Sequence, residues 1–248
     1  MATQSSIEWT EQTWNPVTGC TKVSPGCKHC YAEVMARRLH AMGASGYHNG
    51  FKTTLHPDRL QQPALRKKPT VYFVNSMSDL FHPDVPFAFI DKVMEVIAAT
   101  PHHTYQILTK RAGRMRQFFE KRAVPDNAWV GVSVEDRKYG LPRIPELLKI
   151  RAKTRFLSVE PLLEDLGEFS MAGVDWVIVG GESGHKARRM AEEWVSPIRQ
   201  QAERDGALFF FKQWGSWGAD GKKRNKKANG RLLGGRTWDD MPDMIAVG

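Results

Sequence analysis

The sequence predicts an α/β protein whose parallel strands close, partly or fully, into a (β/α) barrel. Short runs rich in Val, Ile, Leu and aromatic residues recur between residues 71 and 212, as expected for buried strands. Segments with helical spacing or longer crossovers separate the runs, and strands connected in this way lie parallel. No glycine-rich phosphate-binding sequence follows the first run, which favours a barrel over an open nucleotide-binding sheet.

The predicted elements alternate along most of the chain. Strands are predicted at residues 71–75, 105–109, 129–133, 155–159, 176–180 and 208–212, with a weaker one just before Cys20. Helices are predicted at residues 31–43, 87–100, 114–121, 143–151 and 191–205. Glycines and prolines make residues 44–69 a predicted loop. Residues 1–215 would therefore form the barrel domain, and residues 216–248 a basic extension.

Composition limits the class of protein. A chain of 248 residues, 41% hydrophobic, can bury the core of one large α/β domain, and it has no apolar run long enough for a membrane span. Lys and Arg outnumber Asp and Glu by 36 to 27, so the net charge is +9. This surplus favours an anionic partner, nucleic acid first, although it can also serve solubility alone. Grouped cysteines without a signal peptide indicate a reducing cytoplasm.

All three cysteines lie in one short stretch with the spacing C-x6-C-x2-C, at Cys20, Cys27 and Cys30. Thiols grouped in an otherwise cysteine-free chain are most simply explained as ligands of one metal centre. The intervening Ser-Pro-Gly sequence suits a tight turn that brings the first thiol back toward the others. The helix predicted from Tyr31 places the last two thiols near a helix N-terminus, where free N–H groups favour thiolates.

The residues alone leave three interpretations of these cysteines open. A four-iron cluster held by three thiolates would leave one iron free to bind another molecule, whereas an ordinary cluster takes four thiolates. A structural zinc site needs a fourth ligand, which His29, His40 or His48 could supply. The third interpretation is one disulfide with a spare thiol, which the absence of an export signal disfavours.

Polar residues, together with two glycines and a tryptophan, collect just beyond the carboxyl ends of the predicted strands, where parallel barrels and open α/β sheets place their functional sites. They are Asn75, Ser76, Ser78, Asp79, Thr109, Lys110, Arg111, Ser133, Glu135, Asp136, Arg137, Ser158, Glu160, Gly180, Gly181, Glu182, Ser183, Lys212, Gln213 and Trp214. Each alone could be a helix cap or a surface residue. Their repetition over six strands predicts one shared pocket.

The cysteine loop resembles the cluster-binding loop of radical S-adenosylmethionine (SAM) enzymes. It departs from the usual C-x3-C-x2-C by three extra residues, and His29 replaces the aromatic residue that commonly precedes the last cysteine. The whole chain also resembles a phage- and prophage-borne three-cysteine-motif family without settled function. That resemblance rests on WNPVTGC, SPGCKHCYA, FVNSMSDLF, LTKR, VGVSVED, SVEPLL, IVGGESG and FFFKQWG.

The radical SAM resemblance implies a partial (β/α) barrel of about six or seven mostly parallel strands. It further implies a 4Fe–4S cluster on the three cysteines, SAM as cofactor, and an external reductase that supplies electrons. Cofactor-binding roles would fall to Tyr31, Ser76, Ser78, Asp79, Lys110, Ser133 and Glu135. Asp79 or the serines would accept the methionine ammonium, and Lys110 or Arg111 would pair with its carboxylate. Glu160, Glu182 and Lys212 are the candidate catalytic residues on the substrate side.

The last part of the chain adds a basic stretch. Residues 221–238 contain seven Lys or Arg and no acidic residue, and Trp214, Trp217 and Trp238 flank them, a composition typical of nucleic-acid contacts or of a solvated tail. The functional hypothesis is therefore a radical-SAM-like enzyme that modifies or repairs nucleic acid or a nucleotide-derived substrate. One alternative is a non-catalytic zinc-binding protein that contacts nucleic acid or links phage and host. Another is an enzyme on the same scaffold that has lost SAM and uses its strand-end carboxylates for hydrolysis.

Overall fold

A computed structural model describes residues 3–5 and 7–243. Residues 1, 2, 6 and 244–248, which belong to the predicted barrel domain and extension, lie outside the described residues. The strands are β1 (Thr3–Gln4), β2 (Gln12–Trp14), β3 (Val17–Thr18), β4 (Thr54–Leu55), β5 (Val71–Val74), β6 (Thr104–Thr109), β7 (Ala128–Ser133), β8 (Thr154–Val159), β9 (Trp176–Gly180) and β10 (Leu208–Gln213). The helices are α1 (Tyr31–Ala41), α2 (Phe87–Ala99), α3 (Ala112–Phe119), α4 (Arg143–Leu148), α5 (Glu192–Asp205) and α6 (Lys226–Asn229).

One sheet organises the molecule, with the strand order β1-β2-β5-β6-β7-β8-β9-β10. All neighbours from β2 to β10 pair in parallel, and only β1 runs antiparallel to β2. Seven parallel strands therefore form a curled sheet whose end strands, β2 and β10, do not pair with each other. The prediction of a partial (β/α) barrel with six or seven mostly parallel strands is confirmed.

Alternation along the strands gives the sheet two different faces. The convex face carries aliphatic and aromatic side chains that pack with α2, α3 and α5 in the main core, for example Ile107, Val132 and Val179. A second cluster fills the concave face with Phe156, Ile178 and other large side chains. At alternate positions closer to the carboxyl ends of the same strands the side chains become polar. The concave face is therefore apolar toward the amino ends of the strands and polar toward their carboxyl ends.

The predicted boundaries agree closely with the structure. Two short strands occupy the place of the weak strand expected just before Cys20. β3 pairs antiparallel with β4, and the earlier β2 is the first strand of the parallel sheet, with Gln12 opposite Tyr72 of β5. Residues 44–69 are largely loop, as predicted, but they include β4 and two short 3-10 turns. Proline-led turns of this kind were too short to give a periodic signal. Within the described part of the chain, no helix combines the length and the apolar character required to cross a membrane.

Residues 214–243 continue along the outer edge of β10. The Phe211 N–H donates to the Trp238 carbonyl at 2.9 Å, and Phe210 forms a bridge with Asp239. Leu233 is buried in the main core. Several basic side chains of this stretch bind acidic residues of the chain itself, in the pairs Arg224–Asp220, Lys226–Glu8 and Arg231–Asp239. Part of the positive charge is thus neutralised within the molecule.

Candidate functional site

The cysteine loop, residues 20–30, connects β3 to α1 and lies across the carboxyl ends of β7 and β9. The Ser24 hydroxyl donates to Glu135, which follows β7. Gly26 packs against the same carboxylate, because a Cβ at this position would lie 2.6 Å from Glu135 Oε1. From the β9 side, Arg188 Nη1 donates to the Pro25 carbonyl at 3.0 Å. The loop therefore lies among the residues predicted to share one pocket.

Cys20 contacts Arg111, which follows β6 and is paired with Asp79, a residue beyond the end of the neighbouring strand β5. Arg111 Nη1 lies 3.5 Å from Cys20 Sγ and 2.8 Å from Asp79 Oδ2. Asp79 also accepts hydrogen bonds from the Thr109 hydroxyl and two backbone amides, so its carboxylate is fully occupied. Burial, reinforced by the Asp79 charge and only partly offset by Arg111, raises the pKa of Cys20 to about 11. A metal must therefore displace a proton from this thiol.

The other two thiols lie at the start of α1. Ser24 Oγ is 3.8 Å from Cys27 Sγ, and Cys30 occupies the N-cap position of the helix. Cys30 packs against a small cluster that includes Ala32, Ala36 and Tyr47. All three cysteines are free thiols, half-buried and without a disulfide.

The donor set decides which metal group fits this loop. Thiolates select zinc, copper(I) or iron–sulfur clusters. Among residues 3–5 and 7–243, no three His, Cys, Asp or Glu side chains converge closely enough to hold one ion. A four-iron cluster binds each thiolate through a different iron, so its ligands need not converge on one point. The three thiolates of the loop are therefore a donor set that fits a four-iron cluster with one iron left open.

Glu135 is the central anchor of the loop. Its side chain is fully buried and binds Arg143 Nη1 at 2.5 Å, in addition to Ser24. Burial by itself would raise the pKa of Glu135, but the charges of Lys110 and Arg143 and the hydrogen bonds outweigh it, so the pKa lies below its usual range. Arg143 also donates to the carbonyl of Ser133 at 2.7 Å, so it links the last residue of β7 to Glu135.

The loop after β5 lies beside the start of α1. The Tyr31 hydroxyl donates to the Ser76 carbonyl. The Ser76 hydroxyl donates to Asn15 Oδ1 at 3.2 Å, and the Ser78 hydroxyl donates to the Val17 carbonyl at 2.9 Å. The Tyr31–Ser76 contact brings two predicted cofactor-binding residues together next to Cys30, whereas the Ser78 hydroxyl is bonded to Val17.

Two of the three candidate catalytic residues form a separate ion pair inside the barrel mouth. Lys212 Nζ lies 3.1 Å from Glu160 Oε1, and both side chains are less than one-fifth exposed. The Ser158 hydroxyl donates to Glu160 Oε2 at 3.3 Å, and Lys212 Nζ lies 5.9 Å from the Trp9 ring centre. Gly180 leaves room for the pair, because a Cβ there would collide with Glu160. The pair is the polar end of the concave face.

Glu182, the third candidate, is engaged differently. Its Oε2 accepts from the Arg188 backbone at 2.8 Å and from Arg188 Nε at 2.9 Å. Since Arg188 also donates to the Pro25 carbonyl of the cysteine loop, Glu182 helps to position the loop through Arg188. The sequence analysis assigned Ser24 only to a tight turn and did not single out Arg143 or Arg188, which lie in no local motif. Four basic residues within 185–189, a few positions after a predicted strand, are the one sequence signal that could have indicated Arg188.

Two cavities of about 340 and 350 Å³ lie away from the cysteine loop. The first lies between Asp165–Glu168 and α5. The second lies at the amino-terminal side of the sheet, near Asn127 and Lys153. Neither contains a predicted site residue, so the candidate site remains the strand-end surface beneath the loop.

Solved structures share the fold. A cysteine-to-serine variant of spore photoproduct lyase is 15% identical, with a TM-score of 0.57 over 85% of this chain and 79% of that one. A tyrosine-to-phenylalanine variant is 14% identical, with a TM-score of 0.56 over 86% and 79%. The lyase complexed with dinucleoside spore photoproduct is 14% identical, with a TM-score of 0.50 over 82% and 64%. At such identity the likeness shows the fold alone, here the half-barrel of radical SAM type.

The sequence itself matches no curated protein. A family model covers almost the whole of the described chain, from residue 4 to residue 242. The match includes the cysteine loop, all seven parallel strands and the segment along β10. The chain therefore belongs to the family described as "Protein of unknown function (DUF5131)".

Proposed function

We propose that this chain is a radical-SAM-type iron–sulfur enzyme that acts on nucleic acid or a nucleotide-derived substrate. The observation that carries the proposal is the position of the three-thiol loop, which Glu135 and Arg188 hold on the strand ends of a half-barrel. When bound there, a reduced 4Fe–4S cluster would supply the electron that cleaves SAM to a 5′-deoxyadenosyl radical able to abstract hydrogen.

The residues around the loop have two proposed roles: some ligate the cluster or orient its ligands, and others bind SAM. Cys20, Cys27 and Cys30 would ligate the cluster, and Arg111 orients Cys20 through its contact with the sulfur. Because Asp79 is saturated by donors of the chain, its main contribution is to orient Arg111. The direct cofactor binders that we propose are Tyr31, Ser76, Ser78, Lys110 and Ser133.

The concave face supplies the proposed substrate site. Phe210 and Trp9 form part of an apolar floor, above which the Glu160–Lys212 pair offers a hydrogen-bond acceptor and a cationic donor. A nucleobase has an apolar face with donors and acceptors along its edge, so it matches this arrangement. The shared fold with a lyase that binds a dinucleoside photoproduct supports this class of substrate.

The first test is metal analysis of protein purified without oxygen. We expect about four irons and four sulfides per chain, a broad brown absorbance, and SAM cleavage after chemical reduction. Cys27→Ala should lose the iron and the absorbance because it removes one of the three ligands. One zinc and no iron in the wild type would overturn the radical mechanism.

Histidine variants provide the matched control. His29→Ala, His40→Ala and His48→Ala should each retain the iron, because none of these side chains joins the thiols in a metal-binding group within the described residues. Zinc in the wild type that disappears in one of these variants would instead support the zinc-binding alternative. Hydrolysis by free carboxylates is disfavoured, since Glu135, Glu160 and Glu182 are each paired with a cation.

A further inference from the structure

An exposed apolar stripe runs along α1, directly beside the cysteine loop. Tyr31, Val34 and Met35 are 58%, 69% and 43% exposed, and Met42, at the end of the helix, is 69% exposed. Together with Arg38 they follow helical spacing and therefore lie on one face. The opposite buried face contributes only small side chains, Ala32 and Ala36, to a minor cluster. Among the described residues nothing covers the stripe.

The stripe is surrounded by positive charge. Lys22, Lys28, Arg37 and Arg38 are exposed around it. The nearby acidic residue Glu33 binds both Lys22 and Arg37, at 3.1 and 2.6 Å, so it offsets only part of that charge. An apolar centre rich in Met and Tyr with a charged rim is the usual composition of a protein–protein interface. Aliphatic side chains offer little to a nucleic-acid backbone, which favours a protein partner.

The position of the stripe indicates what that partner does. The Val34 N–H donates to the Cys30 carbonyl, so the stripe begins within one helical turn of a cluster ligand. On the proposed function, each SAM cleavage breaks one sulfonium C–S bond and takes up one electron. The sulfonium sulfur is reduced to a thioether, and the electron must come from a donor outside the chain. A donor that docks on the stripe would lie next to the cluster.

We infer that the Val34–Met42 face of α1 is the docking surface for a small acidic protein that carries a one-electron cofactor. Its acidic groups would meet the rim formed by Lys22, Lys28, Arg37 and Arg38, and its apolar centre would cover Val34, Met35 and Met42. This inference rests on the proposed function for the role of the electron, but the docking itself can be measured separately.

The test compares two double variants with the same change in net charge. Met35→Glu/Arg38→Glu alters the stripe. Leu65→Glu/Lys67→Glu is the control and alters an exposed aliphatic residue and a nearby lysine. This segment is hydrogen-bonded to His102 and His103, which precede β6, so it lies at the opposite end of the strands from the cysteine loop. Binding of a labelled flavodoxin, a small acidic flavoprotein, is measured by fluorescence anisotropy at low and physiological salt. Reduction of the bound cluster is followed separately with reduced flavodoxin and with dithionite.

We expect the stripe variant to bind flavodoxin about ten-fold more weakly, with a smaller salt dependence, while the control variant binds like wild type. Reduction by flavodoxin should slow in parallel, and reduction by dithionite should not change. Equal affinity of wild type and stripe variant, absence of wild-type binding at low salt, or an effect seen only with a DNA oligonucleotide would overturn the docking surface. Failure of dithionite to reduce a cluster would instead count against the proposed function, and the binding comparison would still decide the docking.

Discussion

At the scale of single residues, Arg111 has the most direct effect on the proposed cluster. Its guanidinium donates to Cys20 Sγ at 3.5 Å and is fixed by Asp79. A positive donor beside a cluster sulfur stabilises the reduced, more negative state. Arg111→Ala should therefore lower the reduction potential, and Arg111→Lys should restore part of it. Redox titration monitored by electron paramagnetic resonance would measure the shift.

The control for this prediction is Arg116→Ala, since Arg116 lies on α3 and pairs with Glu120 and Glu146 instead. Its potential should equal that of the wild type. An unchanged potential in Arg111→Ala would show that the contact with Cys20 does not persist once the metal is bound.

Gly180 illustrates a second residue-scale effect. The sequence places Gly180 among the strand-end residues of the predicted pocket, and in the structure the glycine has a packing role. A Cβ at this position collides with Glu160 and would displace it from Lys212. Gly180→Ala should therefore cost about 1–3 kcal/mol of unfolding free energy by overpacking. Urea unfolding would measure this cost.

A matched glycine lies within helix α3. Gly113 has open space around its Cα, so Gly113→Ala should stabilise the protein by about 0.5–1 kcal/mol. Similar stabilities for the two variants would contradict the packing role of Gly180.

At the scale of elements, a buried histidine makes the junction between α2 and β6 sensitive to acid. His103 packs against the rings of Tyr72 and Tyr105, and its Nε2 bonds the Pro63 carbonyl at 3.1 Å. Burial lowers the pKa of His103, and the hydrogen bond offsets this only in part. As the pH falls below about 6.5, the unfolded chain gains a proton that the folded chain resists, so stability decreases.

His103→Phe keeps the aromatic packing and removes the titrating group. We expect this variant to lose less stability than the wild type between pH 7.5 and 5.5, as measured by thermal unfolding. Burial also lowers the pKa values of His56 and His82, so part of the acid sensitivity will remain. The exposed His48→Gln should behave like the wild type; an unchanged pH dependence in His103→Phe would refute the assignment.

At the scale of the whole molecule, the segment along β10 combines structural contacts with surface charge. The Trp238 ring packs against Phe209 and contacts the guanidinium groups of Arg199 and Arg236, and its N–H donates to the Leu233 carbonyl. Trp238→Ala should therefore destabilise the protein by roughly 2–3 kcal/mol, less than a fully buried tryptophan. Thermal and urea unfolding would measure this loss.

Two exposed lysines in the same segment allow the effect of its charge on nucleic-acid binding to be tested without disturbing its packing. Lys222→Ala/Lys227→Ala should leave unfolding unchanged and weaken nucleic-acid binding in an electrophoretic shift assay at physiological salt. Undiminished binding would show that this stretch does not form the nucleic-acid surface.

How much could be predicted depended on how local the signal was. The strand around Ile107 and Leu108 and the helix from Tyr31 were predictable because alternation and helical spacing extend over neighbouring residues. The cysteine loop was predictable because its three cysteines and its Ser-Pro-Gly turn lie within eleven consecutive residues. Whether each strand-end side chain faces a ligand or another residue of the chain could not be predicted, because the partners are distant in sequence. The Arg188 contact with Pro25, for example, spans 163 positions.

The sequence by itself determined the class of fold, the order of its elements and the grouping of the three cysteines in one short loop. Each of these follows from hydrophobic period, turn chemistry or spacing within a few residues. Only the tertiary structure decided that Arg111 faces Cys20 across 91 positions and that Lys212 pairs with Glu160 across 52. The curl of the sheet brings distant strand ends together, and burial there forces each charge to find a partner. Such pairings depend on the geometry of the whole barrel, which no local pattern specifies.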